Sequence, residues 1–299
     1  MKLALGPNQY YGPRQAMLDF YADIADSPVD IVYLGESVCS RRHELRLDDW
    51  LEIADVLADA GKEVVISSLV LIESESDLKA LRRIVEQTRH RVEANDMSAV
   101  NLLDQLGRRN WVAGPTLNVF NPDTLGLLQS LGASRWVMPP EMSGEAMRSL
   151  IAALDPPPEV EVTAYGRLPL AYSARCFTAR HFNLQKDTCE FRCLQHAEGL
   201  RLNTRDGTPF LTINGIQTQS ARIHNLLNDL PRLRQTGAGV LRLLPQSEGM
   251  REVIDLFADA LAGRIEAEAA FTRSREFMKD DPCNGFWHGR AGVDQFVSS

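Results

Sequence analysis

The sequence predicts an α/β protein closed as a (β/α)8 barrel of the TIM type, irregular in one region. Apolar runs of strand length alternate with stretches of helical periodicity from Lys2 to Leu261, the alternation that builds a parallel sheet. The number of βα units is about eight, which favours closure into a barrel. The chain has 299 residues, a length that such barrels use as one domain. An open doubly wound sheet is the competing arrangement. No G-x-G-x-x-G follows the first strand, which weakens its dinucleotide-binding version.

The elements read in order as follows. Lys2–Leu5 (KLAL) opens the series, and Arg14 to about Ala25 carries a helical pattern. Asp30–Leu34 (DIVYL) is followed by a helix over about Asp48–Ala60, with Gly61 just past its end, where glycine relieves the left-handed turn. Glu63–Ser67 (EVVIS) precedes a helix over Ser74–Thr88, opened by a serine cap and acidic first-turn residues. Arg91–Ala94, a helix near Asp96–Gln105 and a strand at Asn110–Ala113 continue the pattern. Asn121-Pro122-Asp123 starts the next helix with proline at its first position. Ser134–Met138 is a strand, Ser143–Leu154 a helix and Glu159–Ala164 the seventh strand.

Regularity then breaks. Residues 166–209 show little hydrophobic periodicity and many Asn, Asp, Gly and Thr residues. A segment this long is functional or disordered more often than a plain connection. Pro209–Ile213 and Asn214–Gln217 read as a strand leaving the insertion, and Arg222–Leu230 as a helix. Gly239–Leu244 (GVLRLL) is the last strand and Glu248–Leu261 the last helix. The expected organisation is one barrel domain over 1–299, a cysteine-bearing insertion at 166–209 after the seventh strand, and a tail at 262–299 packed on the barrel.

The chain is 44% hydrophobic and 24% charged, ordinary for a globular core, and carries a net charge of −8. That sign provides no electrostatic footprint for nucleic acid. The opening MKLALGPNQYYGPRQ is too weakly apolar for a signal peptide, and no stretch approaches the ~18 apolar residues of a membrane span. A cytoplasmic protein with no transmembrane segment is expected.

Cysteines carry the chemistry. Cys39 stands alone, whereas Cys176, Cys189 and Cys193 form C-x12-C-x3-C inside the insertion. Four thiolates suit an iron–sulfur cluster or a structural zinc, and a reducing compartment disfavours disulfides. The spacing matches neither zinc fingers nor common ferredoxins. Four unrelated buried thiols are the plain alternative. Barrel sites form at the carboxyl ends of strands, and this rule selects positions. The second strand ends in LGESVCS, which puts Glu36, Ser37 and Cys39 on one loop, and the seventh runs through Tyr165, Gly166 and Arg167 into the other cysteines. Both cysteine groups therefore emerge on one face, where they can share a metal.

Other strand ends offer Ser67 and Ser68, Glu93 and Asn95, Thr116 and Asn118, and Glu141. Glu36 and Glu141 are the candidate catalytic carboxylates for acid/base work or for binding a polar substrate. A helix cap or a hydrogen bond to loop backbone is the alternative for each. Arg175, beside Cys176, either neutralises cluster charge or is simply exposed. His43, His181 and His196 lie near the cysteine loops, but no H-x-x-H spacing occurs. Cys283, in DPCNGFWHGRAG, reads as a buried structural thiol. No nucleophile elbow, phosphate loop or zinc-protease motif is found.

The runs YLGESVCSRR (Tyr33–Arg42), YGRLPLAYSARCFTAR (Tyr165–Arg180), Cys189, Cys193, NGIQT (Asn214–Thr218) and CNGFW (Cys283–Trp287) resemble the ubiquinone-biosynthesis branch of the collagenase-like, "unknown-type" peptidase family. The similarity runs essentially end to end. It implies a barrel carrying a [4Fe-4S] cluster as cofactor, with Cys39, Cys176, Cys189 and Cys193 as its metal ligands. It also implies a heterodimer with a sister subunit (UbiU) and cooperation with the lipid-binding accessory protein UbiT. The implied activity is oxygen-independent hydroxylation of prenylated aromatic ubiquinone precursors, with prephenate as oxygen donor. The alternative is a scaffold subunit whose cluster stabilises the fold while the partner carries the chemistry. The resemblance names no acid or base, so Glu36 and Glu141 rest on position alone.

Overall fold

A computed structural model describes residues 1–296. Eight parallel strands form the barrel: β1 (Lys2–Leu5), β2 (Ile31–Leu34), β3 (Glu63–Ser67), β4 (Arg91–Ala94), β5 (Trp111–Ala113), β6 (Ala133–Val137), β7 (Glu159–Gly166) and β13 (Ala238–Leu243). They pair in sequence order, and β13 pairs with both β1 and β7, which closes the ring.

The helices on the outside are α1 (Arg14–Ala25), α2 (Leu47–Asp59), α3 (Glu75–Glu86), α4 (Met97–Gln105), α5 (Pro122–Ser130), α6 (Gly144–Ile151) and α9 (Met250–Leu261). Their starts follow local chemistry. The side chains of Ser74, Asp96, Asn121 and Ser143 each accept a hydrogen bond from a backbone N–H of the turn that follows. These contacts satisfy amides that have no partner inside the helix. The apolar stripes of the helices pack on the outer strand faces through residues such as Trp50, Leu57, Trp111, Trp136, Ile254 and Phe257.

The inside of the barrel is smaller and partly charged. Ala4, Ile31, Tyr33, Val65, Val112, Val137 and Val240 fill it, as alternate strand positions must. Glu93, Arg135, Glu161 and Arg242 share this interior, each at most 2% exposed. Arg242 Nε donates to Glu161 Oε1 (2.6 Å), Tyr33 Oη to Glu161 Oε2 (2.5 Å), and Arg135 Nη1 to Tyr33 Oη (3.2 Å). Arg242 also lies over the Tyr33 ring at 4.0 Å. Charges this deep persist only because each is paired.

The insertion after β7 is an ordered layer. It contains β8 (Pro169–Tyr172), the single turn α7 (Phe177–His181), β9 (Leu200–Asn203), β10 (Pro209–Asn214) and β11 (Gln217–Ser220). The four strands make an antiparallel sheet in the order β8-β11-β10-β9. Two expected elements differ from what is found. Asn214–Gln217 is the turn of the β10–β11 hairpin, with Gly215 at φ +66°, and does not continue a strand. Arg222–Leu230 contains β12 (Ile223–Asn225) and a 3-10 turn before the short α8 (Leu230–Leu233). Its apolar residues recur at helical spacing, yet β12 pairs antiparallel with the end of β7, and tertiary pairing overrides the local pattern.

In the tail, α10 (Ala267–Ser274) is followed by β14 (Pro282–Cys283), which pairs with β12. Trp287 is buried against Gly144 at the start of α6. Residues 297–299 of the expected tail lie outside the described residues. Among the described residues, no helix is long and apolar enough to cross a membrane.

Candidate functional site

The β2 loop is set by a close approach. Gly35 has φ +112°, and a Cβ there would meet the Ser67 carbonyl oxygen at 2.9 Å. Only glycine lets the chain turn this tightly against β3. The turn delivers Glu36, whose Oε1 accepts from the backbone N–H groups of Val38 (2.9 Å) and Cys39 (3.0 Å). Glu36 thus braces the loop that carries Cys39. Burial pushes its carboxyl up, while Arg42 and the two N–H bonds pull the other way.

Arg42 anchors the same loop from beneath. It is 5% exposed, its Nη1 donates to the Gln9 carbonyl (2.8 Å), and its Nη2 donates to Asn214 Oδ1 (2.8 Å). Glu36 Oε1 lies 3.6 Å from Nη1. Asn214 in turn donates to the Gln9 carbonyl and to Gln217 Oε1, and Gln217 donates to the Tyr172 hydroxyl (2.9 Å). A chain of amides therefore ties the insertion hairpin to the barrel loop.

This tie brings the distant cysteines together. The first turn of α7 docks on the hairpin: Phe177 N donates to the Gly215 carbonyl (2.9 Å), and Gly215 N to Thr178 Oγ1 (3.0 Å). Cys176, just before α7, accepts from Ala179 N at 3.4 Å and packs against the cluster of Val38, Cys39 and Ile216. Cys189 and Cys193 sit on two 3-10 turns separated by Glu190 and Phe191, both left-handed at φ +52°. Two consecutive non-glycine residues in that region are strained. Phe191 is held against Tyr11 (5.9 Å) and His43 (6.3 Å).

The electrostatics show the same convergence. Burial pushes the Cys39 thiol up to about 11 and also raises that of Cys193, while the Arg42 guanidinium acts in the opposite direction on both. Cys176 is within electrostatic reach of both, and Cys189 of Cys193. All five cysteines are free thiols. Among the described residues, no three His, Cys, Asp or Glu side chains stand in a metal-binding arrangement.

A thiolate-bound cluster nonetheless suits these residues. The four thiols are soft donors that share one face with a buried cation. Among the described residues, Arg42 Nε and Arg192 Nε, on the segments carrying the cysteines, are buried donors with no acceptor, and His196 Nε2 is buried without a partner. Sulfur bearing negative charge is an acceptor that would satisfy such groups.

The remaining candidates fall elsewhere. Glu141 is exposed at the rim of a cleft over the barrel axis, which reaches the cysteine side through Tyr172. Ser67, Ser68, Glu93, Asn95 and Thr116 form one network deeper in that cleft. Glu93 Oε2 accepts from Ser67 Oγ (2.6 Å) and Asn95 Nδ2 (3.1 Å), and Thr116 Oγ1 donates to the Asn95 carbonyl (2.6 Å). Arg175 is exposed, and His181 stacks edge-on against Phe182. Cys283 is fully buried under β12, and burial pushes its thiol up to about 12.

Sequence reasoning missed Arg42, Tyr172 and Arg242. For Arg242 a signal existed: one arginine inside the apolar run GVLRLL. Arg42 and Tyr172 gain their roles only from contacts across the hairpin.

The fold resembles several solved structures at low identity. The U32 peptidase Mk0906 matches with a TM-score of 0.46 and 14% identity, over 82% of this chain and 93% of that one. A dihydropteroate synthase from Anaplasma phagocytophilum matches with a TM-score of 0.41 and 11% identity, over 86% and 98%. In sequence, the pattern of Peptidase family U32 matches residues 16–282. With most of its length covered by that pattern, the chain belongs to peptidase family U32.

Proposed function

We propose that this chain is the UbiV-type, cluster-bearing subunit of an oxygen-independent hydroxylase that acts on prenylated aromatic precursors of ubiquinone. In this reading Cys39, Cys176, Cys189 and Cys193 hold a [4Fe-4S] cluster. The observation that supports it is that four free thiols, Cys39 on the β2 loop and three on the insertion, lie on the same face of the barrel, with Cys39 and Cys193 beside buried Arg42. The sister subunit UbiU, the accessory protein UbiT and prephenate as oxygen donor complete the proposal on the strength of the sequence resemblance.

The chain's own residues divide the work. The four cysteines would ligate the cluster, which when bound supplies one-electron chemistry. Arg42 offsets thiolate charge and holds the Cys39 loop to the insertion hairpin. Glu36 fixes the Cys39 backbone through two N–H bonds. Tyr172 lines the barrel-axis cleft on one side and packs against the Cys39 cluster on the other. Glu141, at the cleft rim, is the carboxylate placed to meet a polar group of an entering substrate.

Anaerobic purification, iron and sulfide analysis and electron paramagnetic resonance test the reading. Four irons and four sulfides per chain are expected, as is loss of anaerobic ubiquinone synthesis in cells lacking the chain. A protein that binds only zinc, or cells that make ubiquinone normally without it, would overturn the proposal. A scaffold role predicts that removing a ligand collapses the fold, whereas a catalytic role allows cluster loss with the barrel intact.

A further inference from the structure

Two connected chambers lie over the barrel axis. The outer one has a volume of about 230 Å³ and the inner about 30 Å³. Both are walled by Val70, Pro115, Thr116, Pro140, Pro169 and Tyr172. The outer chamber adds Phe120, Pro139 and Leu170, so its walls are largely apolar. The inner chamber ends on Glu93, Asn95 and Arg242.

The sizes differ in a telling way. A cavity of roughly 150 Å³ holds a benzene ring, so the outer chamber has room for one. The inner chamber has room for little more than one water-sized group, such as a single hydroxyl.

The polar groups at the inner end define which small group fits. Arg242 Nη2 and Glu93 Oε1 lie 2.8 Å apart, yet neither makes a well-aligned hydrogen bond. They offer one donor and one acceptor side by side. A hydroxyl both donates and accepts, and so is complementary to the pair. A carboxylate has nothing to give Glu93. It would also lie against the Glu93 carboxylate, whose countercharge Arg242 is already shared with Glu161.

We infer that this cleft binds a ring-bearing molecule through a neutral hydroxyl, with the ring in the outer chamber and the hydroxyl set against the Glu93–Arg242 pair, and that it discriminates against ring carboxylates. The inference deepens the proposed function and rests on it for the identity of the ring, but not for the site. Tyr172 then stands on the side of the bound ring that leads to Cys39, since it lines both chambers and packs against the Val38, Cys39 and Ile216 cluster.

Saturation-transfer NMR on the purified full chain, with phenol, anisole and benzoate as probes, tests it. Phenol is expected to bind saturably at one site. Anisole and benzoate should bind at least about tenfold more weakly, because a site built to hydrogen-bond a hydroxyl rejects analogues lacking one. Ala171→Trp, an exposed position lining the outer chamber, should abolish phenol binding while leaving melting temperature and iron content unchanged. Glu93→Gln should weaken phenol by a similar factor, and Ala171→Trp carries the test if that variant fails to fold. Benzoate binding as tightly as phenol, or phenol binding untouched by Ala171→Trp, overturns the inference. The two readings fail separately: an iron-free chain that binds phenol removes the hydroxylase proposal alone, and a cluster-bearing chain that binds none removes this site alone.

Discussion

Arg42→Leu is the most informative perturbation, because one side chain links the barrel loop, the hairpin and the cysteines. The substitution keeps most of the volume and removes the guanidinium. Two acceptors, the Gln9 carbonyl and Asn214 Oδ1, lose donors at 2.8 Å, and the half-buried Glu36 loses the countercharge 3.6 Å away. Hydrogen bonds from a charged donor contribute about 1.5–3 kcal/mol each, and breaking a buried charge pair costs about 3–5 kcal/mol. These overlap, so the total expected is about 3–5 kcal/mol. At about 2 °C per kcal/mol for a chain of this size, the melting temperature should fall by about 6–10 °C. Calorimetry or thermal denaturation followed by circular dichroism reads this directly. Arg42→Lys should recover little, since an ammonium cannot serve both acceptors in a fork. The double variant Arg42→Leu/Glu36→Gln should cost less than the sum of the singles by about 1 kcal/mol or more, because the stranded carboxylate is gone. A change within about 0.5 kcal/mol for Arg42→Leu, the range of an ordinary surface substitution, would refute the reasoning.

Three further outcomes are expected. Alanine at Cys39, Cys176, Cys189 or Cys193 should lower the iron content of anaerobically purified protein, while Cys283→Ala leaves it unchanged; full iron in Cys39→Ala removes the ligand assignment. His224 is buried with Nε2 3.1 Å from the Thr163 carbonyl, and burial lowers its pKa from 6.5 to about 4. Its stabilisation is therefore complete above pH 6.5 and is lost as pH falls toward 4, by about 3 kcal/mol in all; urea titrations of His224→Asn across that window should show a flatter pH slope than the unsubstituted chain, and an equal slope sinks the assignment. Gly35→Ala should cost about 1–3 kcal/mol through a strained positive φ and the 2.9 Å approach to Ser67, and a neutral result in chemical denaturation would show that the loop relaxes.

The barrel was legible because its information is local. EVVIS and DIVYL are buried on both faces and so read as apolar runs, and the caps at Ser74 and Asn121 act on amides three residues away. The insertion was legible only in part, at Pro209–Ile213, which is most of β10. Its strand β9 is short and largely exposed, with Leu202 facing solvent, so no alternation marks it. β12 read as helix because its partners, β7 and β14, are far away in sequence. Strand-end position placed Glu36 and Cys39 on one loop, but could not show that Glu36 spends its carboxylate on that loop's own N–H groups.

The same distinction explains how the chain can combine a rigid frame with a chemically specialised face. The interior ion network links β2, β4, β6, β7 and β13 through Tyr33, Glu93, Arg135, Glu161 and Arg242. A network of paired charges tolerates few alternative arrangements, so the strand ends above it are held in fixed register. Gln9, Asn214 and Gln217 transmit that register to the hairpin, and the hairpin holds Cys176 against Cys39. Tyr172 stands where the two systems meet: its hydroxyl accepts from Gln217, and burial pushes its pKa far above the usual phenol range, so the ring remains neutral. A neutral aromatic side chain between the charged barrel floor and the loop that carries Cys39 keeps the two electrostatic environments apart. That arrangement allows a ring bound over the axis to approach the cysteine face without carrying the barrel's charge to it.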